Sequence, residues 1–212
     1  MLISHSHRFI FIHVYKNAGS SIKHALADYN YKTYGSTGWV DKWRFVLGLY
    51  PKHFSQDYPG HVKSVELKEK MDNEVFSTYF KFAVVRNPFD WQVSLYNYAR
   101  MDTSHHQHEL TKSFGSFDEY FEWRVNGNFS LQSDFVCDSA GDLLVDRVLR
   151  FERLGEDFKD VCDYLNINGK GLPHRNISKE GDYKQYYSPD SANMVRQNFG
   201  LDFEVFGYFK KL

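Results

Sequence analysis

The chain has 212 residues, enough for one domain with a full core and short for two, so a single domain over residues 1–212 is expected. Its 26 Lys and Arg against 27 Asp and Glu leave a formal net charge of −1, which excludes a general affinity for polyanions, nucleic acid included; any basic patch has to be local. No run of about 18 apolar residues occurs, so no stable membrane insertion is expected, and Cys137 and Cys162 form no CxxC pair and read as free thiols of a reducing compartment.

The first apolar run, residues 9–14, is nearly all β-branched or aromatic, the pattern of a strand buried on both faces. It is too short for a signal peptide, and a cytoplasmic location is expected. A polar loop follows at residues 15–21, then a helix over 20–29 with Ser20 or Ser21 as its cap. Residues 31–58 are irregular and rich in Gly, Trp and Tyr, an insertion placed to border a cleft. Residues 61–66 read as a short strand and 67–71 as a helix. The second buried strand is 79–85. Pro88 suits the first turn of the next helix, which runs to about residue 100. The His-rich stretch 102–111 reads as a loop.

Ser116 and Glu119 have capping-box spacing, and Phe117, Tyr120, Phe121 and Arg124 share one helical face up to Gly127. Residues 143–151 are a third strand candidate after a turn at 138–141. Leu154, Phe158, Val161, Cys162 and Leu165 make an amphipathic helix. The tail, 171–187, is a basic and polar loop, and Ser188 and Pro189 start a last helix ending near residue 199. Strands alternating with helices imply an α/β fold whose central sheet is mainly parallel and flanked by helices. Most of the 19 Phe and 15 Tyr fall in these elements and read as core, with stacking surface for a base or sugar as the second reading.

Two constellations carry chemistry. In the first, Lys16, Asn17, Ala18, Gly19, Ser20 and Ser21 lie between a buried strand and a helix. Gly19 allows close backbone approach, the first helical amides face the loop, the serines add hydroxyls and Lys16 adds a full charge. Such a set suits a phosphate or sulfate; the plainer reading is a βα turn with a serine cap. The loop is not a Walker A, because Lys16 precedes Gly19 and no GxxxxGK[ST] exists. In the second, Arg86 ends a buried strand, at the ligand edge of an α/β sheet, and Ser94 lies on the following helix. Arg86 can clamp a phosphate while Ser94 donates a hydroxyl. The competing reading is a structural pair between Arg86 and Asp90.

The run Phe-Ile-His-Val-Tyr-Lys-Asn-Ala-Gly-Ser-Ser, residues 11–21, resembles the 5′-phosphosulfate loop of sulfotransferases. Residues 82–96, Phe-Ala-Val-Val-Arg-Asn-Pro-Phe-Asp-Trp-Gln-Val-Ser-Leu-Tyr, resemble their 3′-phosphate strand and helix, including the Arg-to-Ser spacing. Val148-Leu-Arg-Phe-Glu152 resembles the family's next strand–helix unit. Pro173-His-Arg-Asn-Ile-Ser178 resembles the tail of its membrane-type carbohydrate branch, although the Arg-Lys-Gly motif of the cytosolic branch is missing. The likeness covers most of the chain and is weak at 29–58 and 102–131.

The resemblance implies a P-loop-like three-layer fold and 3′-phosphoadenosine 5′-phosphosulfate as the donor co-substrate, with no metal. It implies that Lys16, the loop amides, Ser20 and Ser21 contact the 5′-phosphosulfate. It also implies that Arg86 and Ser94 hold the 3′-phosphate, and that Arg175 and Ser178, with Lys179 nearby, close over the nucleotide. The acceptor it favours is a hydroxyl on a glycan or glycolipid.

Attack by a sugar hydroxyl needs a base. Tyr58-Pro-Gly-His61-Val resembles the Gly-His-Val segment that carries the catalytic His of uronosyl 2-O-sulfotransferases, so His61 is the candidate; a loop His bonded to backbone is the alternative. A pKa near neutrality suits the task. His13, inside the first strand, reads as structural. His105, His106 and His108 lack partner Cys or carboxylate spacing, so no metal site is expected there. The competing functions are a P-loop-type kinase or NTPase and a non-catalytic glycan-binding relative.

Overall fold

The computed structural model describes residues 1–29, 58–169, 171–172 and 182–212. Residues 31–57 of the insertion expected at 31–58, and the tail residues Arg175, Ser178 and Lys179, lie outside them. Among the described residues one sheet holds β1 (Leu2–Ser4), β2 (Phe9–Ile12), β3 (Phe80–Val85) and β4 (Arg147–Arg150), in that spatial order. β2 and β3 pair in parallel, with Phe9 opposite Phe80 and Ile12 opposite Ala83. β3 and β4 are also parallel, with Val85 opposite Arg150. β1 joins antiparallel, with Leu2 opposite Phe11. The sheet is therefore mixed. Its parallel centre is as the apolar runs imply; its antiparallel edge, three residues long, is too short to show a period.

Alternation along the strands divides the core in two. Ile10, Ile12, Ala83 and Val85 face one side, and Phe9, Phe11, Phe82 and Val84 the other. The second side is covered by α1 (Gly19–Ala25) and α8 (Leu154–Leu165), through Ile22, Ala25, Phe158 and Val161. The first side takes α2 (Ser64–Lys70), α3 (Asn73–Thr78), α4 (Pro88–Met101), α6 (Phe117–Asn126), α7 (Ser133–Val136), α9 (Pro189–Asn198) and α10 (Gly200–Phe206). Full burial of one such Phe or Ile stabilises by about 1.5–3 kcal/mol. Phe82→Ala at the sheet centre is thus the kind of change that costs about 3–5 kcal/mol. Among the described residues no helix is long and apolar enough to cross a membrane.

Several boundaries differ from expectation. Residues 61–66 form no strand. Val62 and Leu67 are both buried on the larger core, Ser64 donates its hydroxyl to the Phe135 carbonyl (2.7 Å), and α2 starts there. α1 ends at Ala25 and is followed by a short 3₁₀ turn, Ala27–Tyr29. Neither serine caps it: Ala18 is the N-cap residue, with no side-chain bond. The loop at 102–111 contains the start of α5 (His108–Ser113), because His108 bonds the Ala99 carbonyl (3.0 Å) and Thr111 is fully buried. The third strand shrinks to β4, while Leu143 makes an antiparallel bridge to Cys137. Glu119 closes on the Gly115 amide (2.9 Å) and Ser116 on the Glu119 amide (3.2 Å), a capping box opened by one residue. Past the last expected helix comes α10, which buries Asp202, Phe203 and Phe206.

Candidate functional site

The two parallel central strands, β2 and β3, end side by side. Beyond β2 the chain runs His13, Val14, Tyr15, Lys16, Asn17, Ala18 into α1. Lys16 (φ 61°) and Ala18 (φ 55°) both sit in the left-handed region, a conformation that costs an L-residue with a side chain about 1–2 kcal/mol. Contacts on both sides of Lys16 hold it there. The buried Trp91 indole donates to the Tyr15 carbonyl (2.9 Å). The Asn17 amide donates to the Val84 carbonyl (3.1 Å) and to Gln132 Oε1 (2.7 Å). Asn17 is fully buried, so its side chain points into the protein, away from any ligand the loop would hold. The sequence places Asn17 in the anion loop; its side chain is taken up by these interior hydrogen bonds.

Lys16 projects elsewhere. Its ammonium lies 3.6 Å from the centroid of the Tyr98 ring on α4. Burial and the charge of Arg86 lower its pKa, and Asp102 partly offsets them. Among the described residues it forms no ion pair. Ser20 is exposed and Ser21 buried. Gly19 has a reason different from close ligand approach: a Cβ there would fall 1.7 Å from His13 Nε2. The His13 ring occupies the space a side chain would need.

Arg86 follows β3 and is buried. Its Nε and Nη2 fork onto Asp90 (2.6 and 2.8 Å), and its guanidinium lies 4.1 Å from the Phe151 ring centroid. The structural pair with Asp90 is therefore present. A guanidinium has five N–H donors, of which this fork uses two. On α4, Asp90, Ser94 and Tyr98 recur every four residues and so share a face. That face runs from Arg86 to Lys16, and Ser94 lies in its middle, half-buried. The sequence reading missed Tyr98, Asp102 and Gln132; the four-residue spacing from Ser94 was the available signal for Tyr98. His105 packs edge-on to Tyr98 (5.4 Å) and stacks on His106 (4.6 Å), with a pKa lowered first by burial. Among the described residues no group of three or more His, Cys, Asp or Glu is arranged to hold a metal ion.

His61 comes to the same loop. Its Nδ1 lies 3.0 Å from the His13 carbonyl. A carbonyl only accepts, so Nδ1 carries the proton and Nε2 of the neutral ring keeps its lone pair. The ring packs at a tilt against His13 (4.2 Å) and meets the edge of Tyr15 (6.0 Å). This packing desolvates it and lowers its pKa, although the residue is exposed and reachable. His13 is held further down, at about 3, chiefly by burial and next by His61; among the described residues its Nδ1 has no hydrogen-bond partner. The structure thus brings Lys16, Arg86, Ser94 and His61 to one edge of the sheet.

The model described as "Sulfotransferase family" matches residues 1–209. A solved structure of mouse sulfotransferase SULT7A1 complexed with PAP is similar at 15% identity, over 97% of this chain and 90% of that one, with a TM-score of 0.53. At that identity the likeness is one of fold. No curated protein matches the chain in sequence. The family match runs from β1 past α10 and takes in the loop after β2 and the Arg86 helix, so the chain belongs to the sulfotransferase family.

Proposed function

We propose that the chain moves the sulfuryl group of 3′-phosphoadenosine 5′-phosphosulfate onto a hydroxyl of a glycan or glycolipid, with His61 as the base. The observation that carries this is the bond from His61 Nδ1 to the His13 carbonyl, which leaves Nε2 of an exposed ring as the proton acceptor, next to Tyr15 of the Lys16 loop. The acceptor oxygen attacks sulfur in line while its proton passes to His61 Nε2. The bond from sulfur to the bridging oxygen of the 5′-phosphate breaks, and that oxygen leaves with the electron pair. Lys16 stabilises the charge gathering on it, and Arg86 and Ser94 hold the 3′-phosphate. The family assignment removes the kinase or NTPase alternative. Both cysteines are buried free thiols, consistent with the cytoplasmic setting we propose.

The test compares His61→Ala with the parent in single-turnover transfer from labelled donor across a panel of glycan acceptors. The rate should fall about 10²-fold or more, with melting temperature and donor affinity unchanged. A lowered His61 pKa means the ring is neutral, and able to take a proton, at pH 7. Activity should then be lost as pH falls through a value below the ordinary 6.5, and His61→Ala should lack that acid limb. A folded His61→Ala enzyme with the parent rate rules His61 out.

A further inference from the structure

We infer that Gln132 is a positioning residue that holds the two ends of the donor site in register. This rests on the reading above, in which the Lys16 loop takes the 5′ end of the nucleotide and Arg86 its 3′-phosphate. Gln132 directly precedes α7, far in sequence from both, and is fully buried. Its side-chain amide behaves as a peptide group. Oε1 accepts the Arg86 amide N–H (2.9 Å), and Nε2 donates to the Arg86 carbonyl (2.8 Å). Val85 is the last residue of β3 paired to β4, so Gln132 extends the hydrogen bonding of β3 by one residue, to the arginine itself.

The same Oε1 accepts the Asn17 amide at 2.7 Å. One oxygen therefore joins the backbone of Arg86 to the residue following Lys16. Gln132 is pinned from its other side as well. Its own N–H and that of Ser133 donate to the two carboxylate oxygens of Asp202 (3.0 and 2.8 Å), which is fully buried in α10. Only a side chain with both a donor and an acceptor can make the bonds to Arg86 and Asn17; an isosteric Met makes none of those and keeps the backbone bonds to Asp202. The two phosphates of the donor are a fixed distance apart across one ribose. A ligand gripped at both ends gains from a site already set at that spacing, and a site free to drift forfeits the gain.

The experiment measures the affinity of three nucleotides for parent and Gln132→Met protein, well below both melting temperatures. 3′-Phosphoadenosine 5′-phosphate engages both ends, adenosine 5′-phosphate and adenosine 3′-phosphate one each. The parent should bind the bisphosphate more tightly than either monophosphate. Gln132→Met should lose about tenfold on the bisphosphate, the size of coupling expected between groups in one hydrogen-bond network, and less than about threefold on each monophosphate. Equal losses on all three, or a bisphosphate preference kept in full, overturn the proposal by reducing Gln132 to a stabilising residue. Should Gln132→Met fail to fold, Asn17→Ala cuts one arm and leaves the Arg86 pair; it should show the same selective loss, and an undiminished preference overturns the proposal equally. A parent that binds bisphosphate no better than adenosine 5′-phosphate rejects the Arg86 assignment, and the role of Gln132 with it.

Discussion

The ends of β2 and β3 each present one cation at the same edge of the sheet, yet the two are held in opposite ways. Lys16 stands on a strained left-handed backbone, and its ammonium rests on the face of Tyr98 with no carboxylate on it among the described residues. Arg86 has a backbone bonded on both its N–H and C=O by Gln132 and a side chain forked onto Asp90. The first charge can follow a group whose charge changes during reaction. The second is fixed before any ligand arrives and can measure a group that does not react. On the proposed reading of the site, one sheet edge then separates catalysis from recognition using like charges.

Arg86→Ala should give the largest effect on stability. It leaves Asp90 buried without its partner, a loss of about 3–5 kcal/mol, read in urea unfolding; Arg86→Ala with Asp90→Ala should recover part of it. A cost below about 1 kcal/mol would mean the pair is not what holds this strand end. Lys16→Met should do the reverse. Transfer should slow about 10²- to 10³-fold and donor binding weaken, while the melting temperature stays level or rises. If Lys16→Met unfolds the protein while Arg86→Ala does not, the contrast is inverted. The smallest effect belongs to Ala18→Gly. It relieves a left-handed alanine worth about 1–2 kcal/mol and adds chain entropy of about 0.5–1 kcal/mol, so the net gain should be about 0.5–1 kcal/mol. Destabilisation would show that the loop is not strained there.

Lys16, Arg86 and Ser94 stand out in the sequence because they are residue types that suit a phosphate-sized anion, placed just past buried strands or on the helix that follows. Their partners do not. Gln132 and Asp202 act through ordinary amide and carboxylate bonds, and 115 positions separate Asn17 from Gln132. No local pattern records such a contact. Asn17 was legible as a polar loop residue but not as one turned inward, because direction depends on the Val84 carbonyl waiting behind it. Residues 61–66 misread for a related reason: a few alternating apolar and polar positions suit a strand and the first turn of a helix equally, and a distant contact, the bond from Ser64 to the Phe135 carbonyl, is not visible locally. His61 was found through a three-residue resemblance, while the His13 carbonyl that orients it belongs to the backbone and leaves no trace in side-chain type.

Positions 13 and 19 share a single volume, since the imidazole of one fills the place where the other would carry a side chain. They therefore cannot drift independently. A chain that acquires alanine at 19 must first lose the ring at 13, and a chain that loses the ring opens a gap beside His61 until 19 grows. Each position, tested alone, should look intolerant; exchanged together, with a small residue at 13 and alanine at 19, they should be accepted far better than either change by itself. Among relatives of this chain, the residue at one position should forecast the residue at the other.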